Sequence, residues 1–361
     1  MKGRRTMYIC GIRRIMKVFL FVFFLNTWVH PDQLFDAIRM NDCITAKRLI
    51  MEGYHVDGRN DNSSEIPLMP AALNGFYECA LTLIENGADV NKEDDDGQTP
   101  VFLAALYGQL NIMQLLHQNK ADLNHKDNEG NTALMQAASG NHLNCILFLL
   151  KNGVPVDTKN KQGETPLFGA TSRGSIEAIR LLLRKGANIN SQDTTGKTPL
   201  MLAAALGMKN SANVLIDSWP KKDKLQSTPD IDIVDNGGCS ALHYITTLND
   251  IGIAQKLLAH GANCNKKDNN GSPLVFWPFI LGKLEISFFL LKSCKDIELI
   301  RPNGLTLLHI AADQGWLEIV QYLVSTKKVN PSLKYKNQTA LDFALESGKN
   351  EVAEFLRGFE N

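Results

Sequence analysis

The sequence has no charge of either sign to spare: Lys and Arg number 38, Asp and Glu number 38, and the formal net charge is zero. A neutral chain lacks the basic surface with which proteins neutralise phosphates, so nucleic acid is not an expected partner. Its seven cysteines, at positions 10, 43, 79, 145, 239, 264 and 294, are odd in number, scattered and without a Cys-x-x-Cys pair. That scatter predicts no disulfide framework and a reducing, cytoplasmic setting. No HExxH, GxSxG, Walker loop or GxGxxG occurs. No catalytic residue and no cofactor site is therefore expected. The acidic run Glu93-Asp94-Asp95-Asp96 lacks the spacing of a calcium-binding loop, so no metal is expected there.

Long apolar runs are scarce as well. Val18–Leu25 is an uninterrupted run of eight, broken by Asn26-Thr27 before Trp28-Val29. A bilayer-spanning helix needs about 20 apolar residues. The run follows a basic stretch holding Lys2, Arg4, Arg5, Arg13, Arg14 and Lys17. Basic residues before a short apolar core look like a signal peptide, and Met16 offers a compact internal start. No small-x-small cleavage site follows, however. Three readings of residues 1–30 stay open: a cap over the end of the fold, a signal or membrane-anchoring segment, and a start-site artefact. Contact with a membrane is expected only through residues 16–29.

What the chain does have is repetition. Gly97, in Asp94-Asp95-Asp96-Gly97-Gln98-Thr99-Pro100, recurs as Gly130, Gly163 and Gly196 at steps of 33 residues. Backward, the same step reaches Ser64 and Pro31. Forward, it jumps 42 residues to Gly238 and then holds at Gly271, Gly304 and Asn337, giving ten repeats. A period in this range means a solenoid or an array of stacked units. Each repeat reads as a turn, a helix, a second helix and a return loop. Thr99-Pro100, Thr165-Pro166 and Thr198-Pro199 place an N-cap hydroxyl before a proline suited to the first helical position. The first helix is rich in alanine and ends near a glycine. The second carries an apolar face at spacings of three and four, as in Ile179, Leu182 and Leu183. Gly-Ala-Asp-Val-Asn and its variants close the repeat.

These residues resemble the ankyrin repeat: Asp-x-x-Gly-x-Thr-Pro-Leu-His-x-Ala-Ala, then Gly, Leu-Leu and Gly-Ala-Asp-Val-Asn. The resemblance covers residues 31–358 and implies an all-α repeat solenoid, with helix–turn–helix units joined by short β-hairpin-like turns. Residues 1–30 precede it and residues 359–361 form a tail. Repeat one lacks Thr-Pro and reads as an N-terminal cap. In repeat eight the Pro-Leu pair is out of register and Pro278 falls inside the expected first helix, which should be kinked or delayed. The extra residues of repeat six fall at 219–227 and read as a polar surface loop.

The resemblance further implies a non-enzymatic scaffold or adaptor that holds a protein partner in its groove and on its turn tips. Exposed positions of the first helices are Leu103 and Tyr107, Arg173, Leu202 and Leu206, Tyr244 and Leu248, and Trp277 and Leu281. The tips Asp95, Asp96, Glu129 and Lys161 form a polar rim. Asparagine hydroxylation is implied for Asn91, Asn190 and Asn265 in the closing loops. The alternative is a secreted or membrane-associated effector, toxin-like in character, delivered by the N-terminal apolar segment.

Overall fold

The computed structural model describes residues 32–59, 65–218, 230–294, 298–327 and 329–359. The N-terminal segment 1–30 and the insertion at 219–227 lie outside them. Among the described residues are twenty helices, two to each of ten repeats, from Asp32–Arg39 and Cys43–Met51 to Ala340–Glu346 and Asn350–Arg357. Five isolated antiparallel bridges, such as Lys126 with Thr132 and Lys267 with Pro273, mark the hairpin-like turns. The all-α repeat architecture is as expected. Contacts divide the chain into two compact bodies, residues 1–133 and 134–361.

In repeats three to eight the turn is built by the side-chain oxygen of its leading residue, an aspartate in all but repeat five, where Asn160 stands. In the first body Asp94 Oδ1 accepts the N–H groups of Asp96 (3.0 Å) and Gln98 (2.8 Å), an Asx turn that needs the left-handed backbone of Gly97 at φ +74°. Asn128 then ties the next tip to this one, donating N–H to Asp96 O (2.9 Å) and Nδ2–H to Asp95 O (2.8 Å). In the second body Asn236 and Asn269 repeat the stitch, Asn269 donating to the carbonyls of Gly237 (2.9 Å) and Asn236 (2.8 Å). The closing loops carry a second ladder. Asp57 accepts the N–H of Asp89, Asn91 that of Asp122, Asp157 that of Asn188 and Asp232 that of Asn263, at 2.8–3.1 Å. The ladder half-buries Asp157 and Asp232, and desolvation raises both carboxyls above their ordinary range.

Between the ladders lies a core made mainly of apolar side chains. Ala104, Ala105, Ala137, Ala138 and Ala203 are fully buried where first helices meet, and Leu116, Leu149 and Leu182 are fully buried under the second helices. Three expectations about detail need comment. Repeat eight is displaced as anticipated: its first helix is only Phe276–Ile280, starting two residues after the expected Leu274. The threonine caps are uneven. Where His309 or Asp342 stands third in the helix, a reciprocal capping box closes with Thr306 or Thr339. Where Phe102 or Phe168 stands there, Thr99 and Thr165 keep the extended cap backbone, but their buried hydroxyls make no hydrogen bond among the described residues.

The cysteines require a correction. Disulfides join Cys43 to Cys79 and Cys264 to Cys294, with Cα atoms 4.9 and 6.0 Å apart, within the normal bridging range. The pairs are 36 and 30 residues apart, close to one repeat. Stacking the repeats brings each pair together, and a search for short cysteine motifs cannot see it.

Candidate protein-interaction surface

The second body carries an apolar stripe on the first helices of repeats six to eight, Pro199–Ala205, Ala241–Thr247 and Phe276–Ile280, which pack in sequence. Leu202 and Leu206, Tyr244 and Leu248, and Trp277 and Leu281 are each four apart, so each pair shares one helix face. Leu206 and Leu281 are each 50% exposed, and Ile280 adds a further 53%-exposed side chain. Arg173 occupies the same position in repeat five and is exposed.

The aromatic members are held by their polar ends. Tyr244 Oη donates to Asp235 Oδ2 at 2.6 Å, and Trp277 Nε1 donates to Asp268 Oδ2 at 3.4 Å. Each carboxylate lies nine residues before its aromatic and leads the turn of the same repeat. Its other oxygen is committed to that turn: Asp235 Oδ1 accepts from Gly237 and Cys239, and Asp268 Oδ1 from Asn270 and Ser272, all at 2.9 Å. The two rings meet edge to face with centroids 6.2 Å apart, and Lys197 Nζ lies 5.7 Å from the Tyr244 centroid. Burial and the bond to Asp235 push the Tyr244 phenol above its ordinary value, so it stays neutral. With donors satisfied and rotamers fixed, these rings lose little entropy on docking.

Behind the stripe the titratable groups are inert. His243 is fully buried and accepts the Ser240 N–H at Nδ1 (3.0 Å), which places its own proton on Nε2. Among the described residues Nε2 has no hydrogen-bond partner, whereas His309 Nε2 reaches Gln338 O at 3.2 Å. In repeat eight the Trp277 ring stands edge to face against His243 at 5.4 Å. Burial drives the His243 pKa down to about 4. Burial also lifts the thiols of Cys145 to about 11 and Cys239 to about 12, the latter with help from Asp235 and Asp268. Thiols so placed are not nucleophiles at neutral pH. No cluster of three metal-ligating side chains occurs among the described residues. Nor is any described helix long and apolar enough to cross a membrane.

The other expected site residues fall elsewhere. In the first body Tyr107 is 53% exposed and Leu103 half-buried on one helix, with Asp95, Asp96 and Glu129 exposed at turn tips and Asp95 paired with Arg59. Lys161 is an exposed tip residue in the second body. Asn91, Asn190 and Asn265 all lie in closing loops. Asn91 and Asn265 are exposed, and Asn190 is half-buried with Nδ2 bonded to Asp230 O at 3.3 Å. Asn91 serves the inter-repeat ladder through its side-chain oxygen.

The sequence reading missed two features. One is the disulfides. The other is an open groove of 830 Å³ in repeats one and two, lined by Ile44, Met51, Phe76 and Tyr77. Ile44 there is 86% exposed, on the outward face of Cys43–Met51. The signal for the groove lay in repeat one, where Ile44 and Met51 sit at surface positions; the signal for the disulfides lay in cysteine spacings close to one repeat.

Comparison with known proteins agrees with this architecture. A family model described as ankyrin repeats in three copies matches residues 34–127, 68–160, 101–193, 152–228, 186–268 and 279–360. The matches lapse across 269–278, the displaced start of repeat eight. Among curated proteins, an alpha-latroinsectotoxin of Latrodectus tredecimguttatus is 30% identical over 99 residues, which are 27% of this chain and 7% of the toxin. The chain therefore spans only a small part of that relative. The tip ladders, paired helices and matched repeats place this chain in the ankyrin-repeat family.

Proposed function

We propose that this protein is a non-enzymatic interaction module that seats an apolar segment of a protein partner on the stripe of repeats six to eight. Ankyrin repeats are generally protein–protein interaction modules and typically non-enzymatic. The observation that carries the reading is the run Leu206, Leu248 and Leu281, one leucine per repeat, beside two aromatics whose donors are already satisfied. Fixed aromatic anchors beside the exposed Leu206 and Leu281 and the half-buried Leu248 have the make-up of binding hot spots. The test is cross-linking capture with the full chain, with cross-links mapped, alongside Leu206→Asp and Leu281→Asp. Both positions are half exposed, so both variants should fold. The expected result is cross-links bordering the stripe and loss of capture in both variants. Capture unchanged by either variant would overturn the assignment.

A second reading concerns where the protein works. We infer that it acts in an oxidising compartment, as the secreted or membrane-associated form rather than the cytoplasmic one. Two inter-repeat disulfides favour this, because cytosolic thiols are kept reduced. So does the basic and then apolar character of residues 2–25. The matched relative is named a toxin, and a toxin acts outside the cell that makes it. Alkylation of intact cells' protein without prior reduction tests the point: Cys43, Cys79, Cys264 and Cys294 should be protected. Free thiols at all four would return the protein to the cytoplasm.

A further inference from the structure

At one position of the ankyrin turn this fold demands glycine for two separate reasons. The residue must adopt a left-handed backbone, with φ between 72° and 87° from Gly97 to Gly304. It must also lack a side chain wherever the next tip packs upon it. A Cβ at Gly97 would come within 2.8 Å of Asn128 Oδ1, at Gly163 within 2.9 Å of Thr194 N, at Gly196 within 2.8 Å of Asn236 N, and at Gly238 within 2.5 Å of Asn269 Oδ1. At Gly304 it would meet nothing within 4 Å. In repeat ten the position is Asn337, at φ +66°. Asparagine tolerates this backbone better than most residues with a side chain. Lys336 and Asn337 are both at positive φ between Tyr335 and Gln338, which exchange backbone hydrogen bonds of 2.9 and 3.0 Å. That is a two-residue hairpin of type I′. Asn337 is exposed at its apex, and its side-chain amide makes no hydrogen bond among the described residues.

Asn337-Gln338-Thr339 also satisfies the Asn-x-Ser/Thr acceptor pattern, with no proline in the middle. We propose that Asn337 is a site of N-linked glycosylation. The proposal rests on the oxidising-compartment reading above, since the transfer occurs where secreted chains are made. The donor is a lipid-pyrophosphate-linked oligosaccharide. Asn337 Nδ2 forms a bond to the anomeric carbon as the bond from that carbon to the pyrophosphate oxygen breaks. The lipid pyrophosphate leaves with the electron pair, and a base on the transferase takes the amide proton. In the folded chain Thr339 Oγ1 is engaged as a helix cap, donating to Asp342 Oδ2 at 2.9 Å. The transfer therefore precedes closure of repeat ten, and the exposed apex carries the glycan afterwards without displacing a neighbouring tip.

Two other stretches share the acceptor pattern. Asn62-Ser63-Ser64 lies outside the described residues. Asn270-Gly271-Ser272 is followed by Pro273, which holds Ser272 extended. In the fold this tip is packed by the next repeat, a Cβ at Gly271 coming within 3.1 Å of Pro302 Cγ, so a glycan on Asn270 would adjoin a stacked neighbour. The assignment is made for Asn337 alone.

The test uses the full chain expressed in cells with a secretory pathway, read at the level of the Asn337 peptide. Disulfides are mapped on the same sample by alkylation without reduction. The expected result is a peptide detectable only after peptide N-glycosidase treatment, with Asn337 converted to Asp. Asn337→Gly should abolish the modification while keeping the fold, because glycine is what other repeats use there. Thr339→Ser should retain the modification and Thr339→Ala should lose it. An unmodified Asn337 peptide in a sample whose disulfides are formed overturns the glycosylation and leaves the compartment reading standing. An unmodified peptide with all four cysteines free overturns both.

Discussion

The turn position that separates Gly196 from Gly304 offers a direct measurement of what one repeat contributes to the next. Both glycines are left-handed, at φ +81° and +87°. Alanine at either site should cost about 1–2 kcal/mol for the backbone alone. At Gly304 the new methyl group meets nothing within 4 Å, so the backbone is the whole cost. At Gly196 it would lie 2.8 Å from Asn236 N and 3.0 Å from Asp235 Cα. The tip of repeat seven must withdraw, taking with it the bonds from Asn236 N–H to Thr195 O (3.0 Å) and from Nδ2–H to Thr194 O (3.1 Å). At about 0.5–1.5 kcal/mol each, those bonds add roughly 1–3 kcal/mol. Gly196→Ala should therefore cost about 2–5 kcal/mol against about 1–2 kcal/mol for Gly304→Ala.

Urea titration of the full chain reads the difference, and hydrogen exchange at the Asn236 amide localises it. The amide should lose protection in Gly196→Ala and keep it in Gly304→Ala. Asparagine sharpens the contrast: Gly304→Asn should cost less than Gly304→Ala, because asparagine tolerates the left-handed backbone better, whereas Gly196→Asn should be at least as harmful as alanine. Equal costs at the two sites would refute the reasoning, because the left-handed backbone would then account for everything and the packed tip for nothing.

Further outcomes follow from the core, the buried histidine and the disulfides. Leu182→Ala removes a fully buried side chain and should cost about 2–5 kcal/mol in urea titration; a change near zero would misplace the inner face. His243 is neutral in the fold, with its pKa lowered from 6.5 to about 4 by burial, so between those values the unfolded chain binds the extra proton. Stability should thus fall as pH drops from 6.5 towards 4, by up to about 1.4 kcal/mol per pH unit. His243→Phe, the residue type of repeats three and five, should remove that slope, and identical slopes in parent and variant would refute it. Cys43→Ser should cost about 2–4 kcal/mol in oxidised protein and almost nothing relative to a reduced parent; equal cost in both states would mean that packing, not the bridge, is responsible.

Much of the fold was legible because it is written in positions that repeat. Gly97 and its equivalents gave the period, Thr-Pro pairs gave helix starts, and Pro278 announced the late helix of repeat eight. The stripe was legible only as a set of unoccupied positions. Leu206, Tyr244, Leu248, Trp277 and Leu281 stood out by their place on the outer face of the first helices, and that place does not name a partner. What stayed hidden depends on pairs that only stacking creates. Cys43 with Cys79 and Cys264 with Cys294 are spaced near the repeat period, not by any short motif. The links from Asp235 to Tyr244 and from Asp268 to Trp277 join a turn to a helix nine residues on, a spacing that matches neither helical nor strand periodicity. Nε2 of His243 has no partner among the described residues, whereas that of His309 reaches a carbonyl of the following repeat, so neither outcome can be read from one repeat alone.

A repeat position is constrained by what the next repeat places on it, and its chemistry is released where nothing is placed. The turn glycine shows the rule at its sharpest. From Gly97 to Gly238 the next tip closes on it at the sites where a side chain would clash, while at Gly304 the space is open and at Asn337 a side chain occupies it. The same rule accounts for the stripe: the outer faces of the first helices are left apolar in repeats six to eight, while their inner faces are buried against neighbouring helices. It also says where to look for function in such a chain. Residues that break the repeat and are still well accommodated, such as Trp277 against His243 or Asn337 at its hairpin apex, are not explained by the stacking. They are the positions at which selection for something other than the fold has room to act.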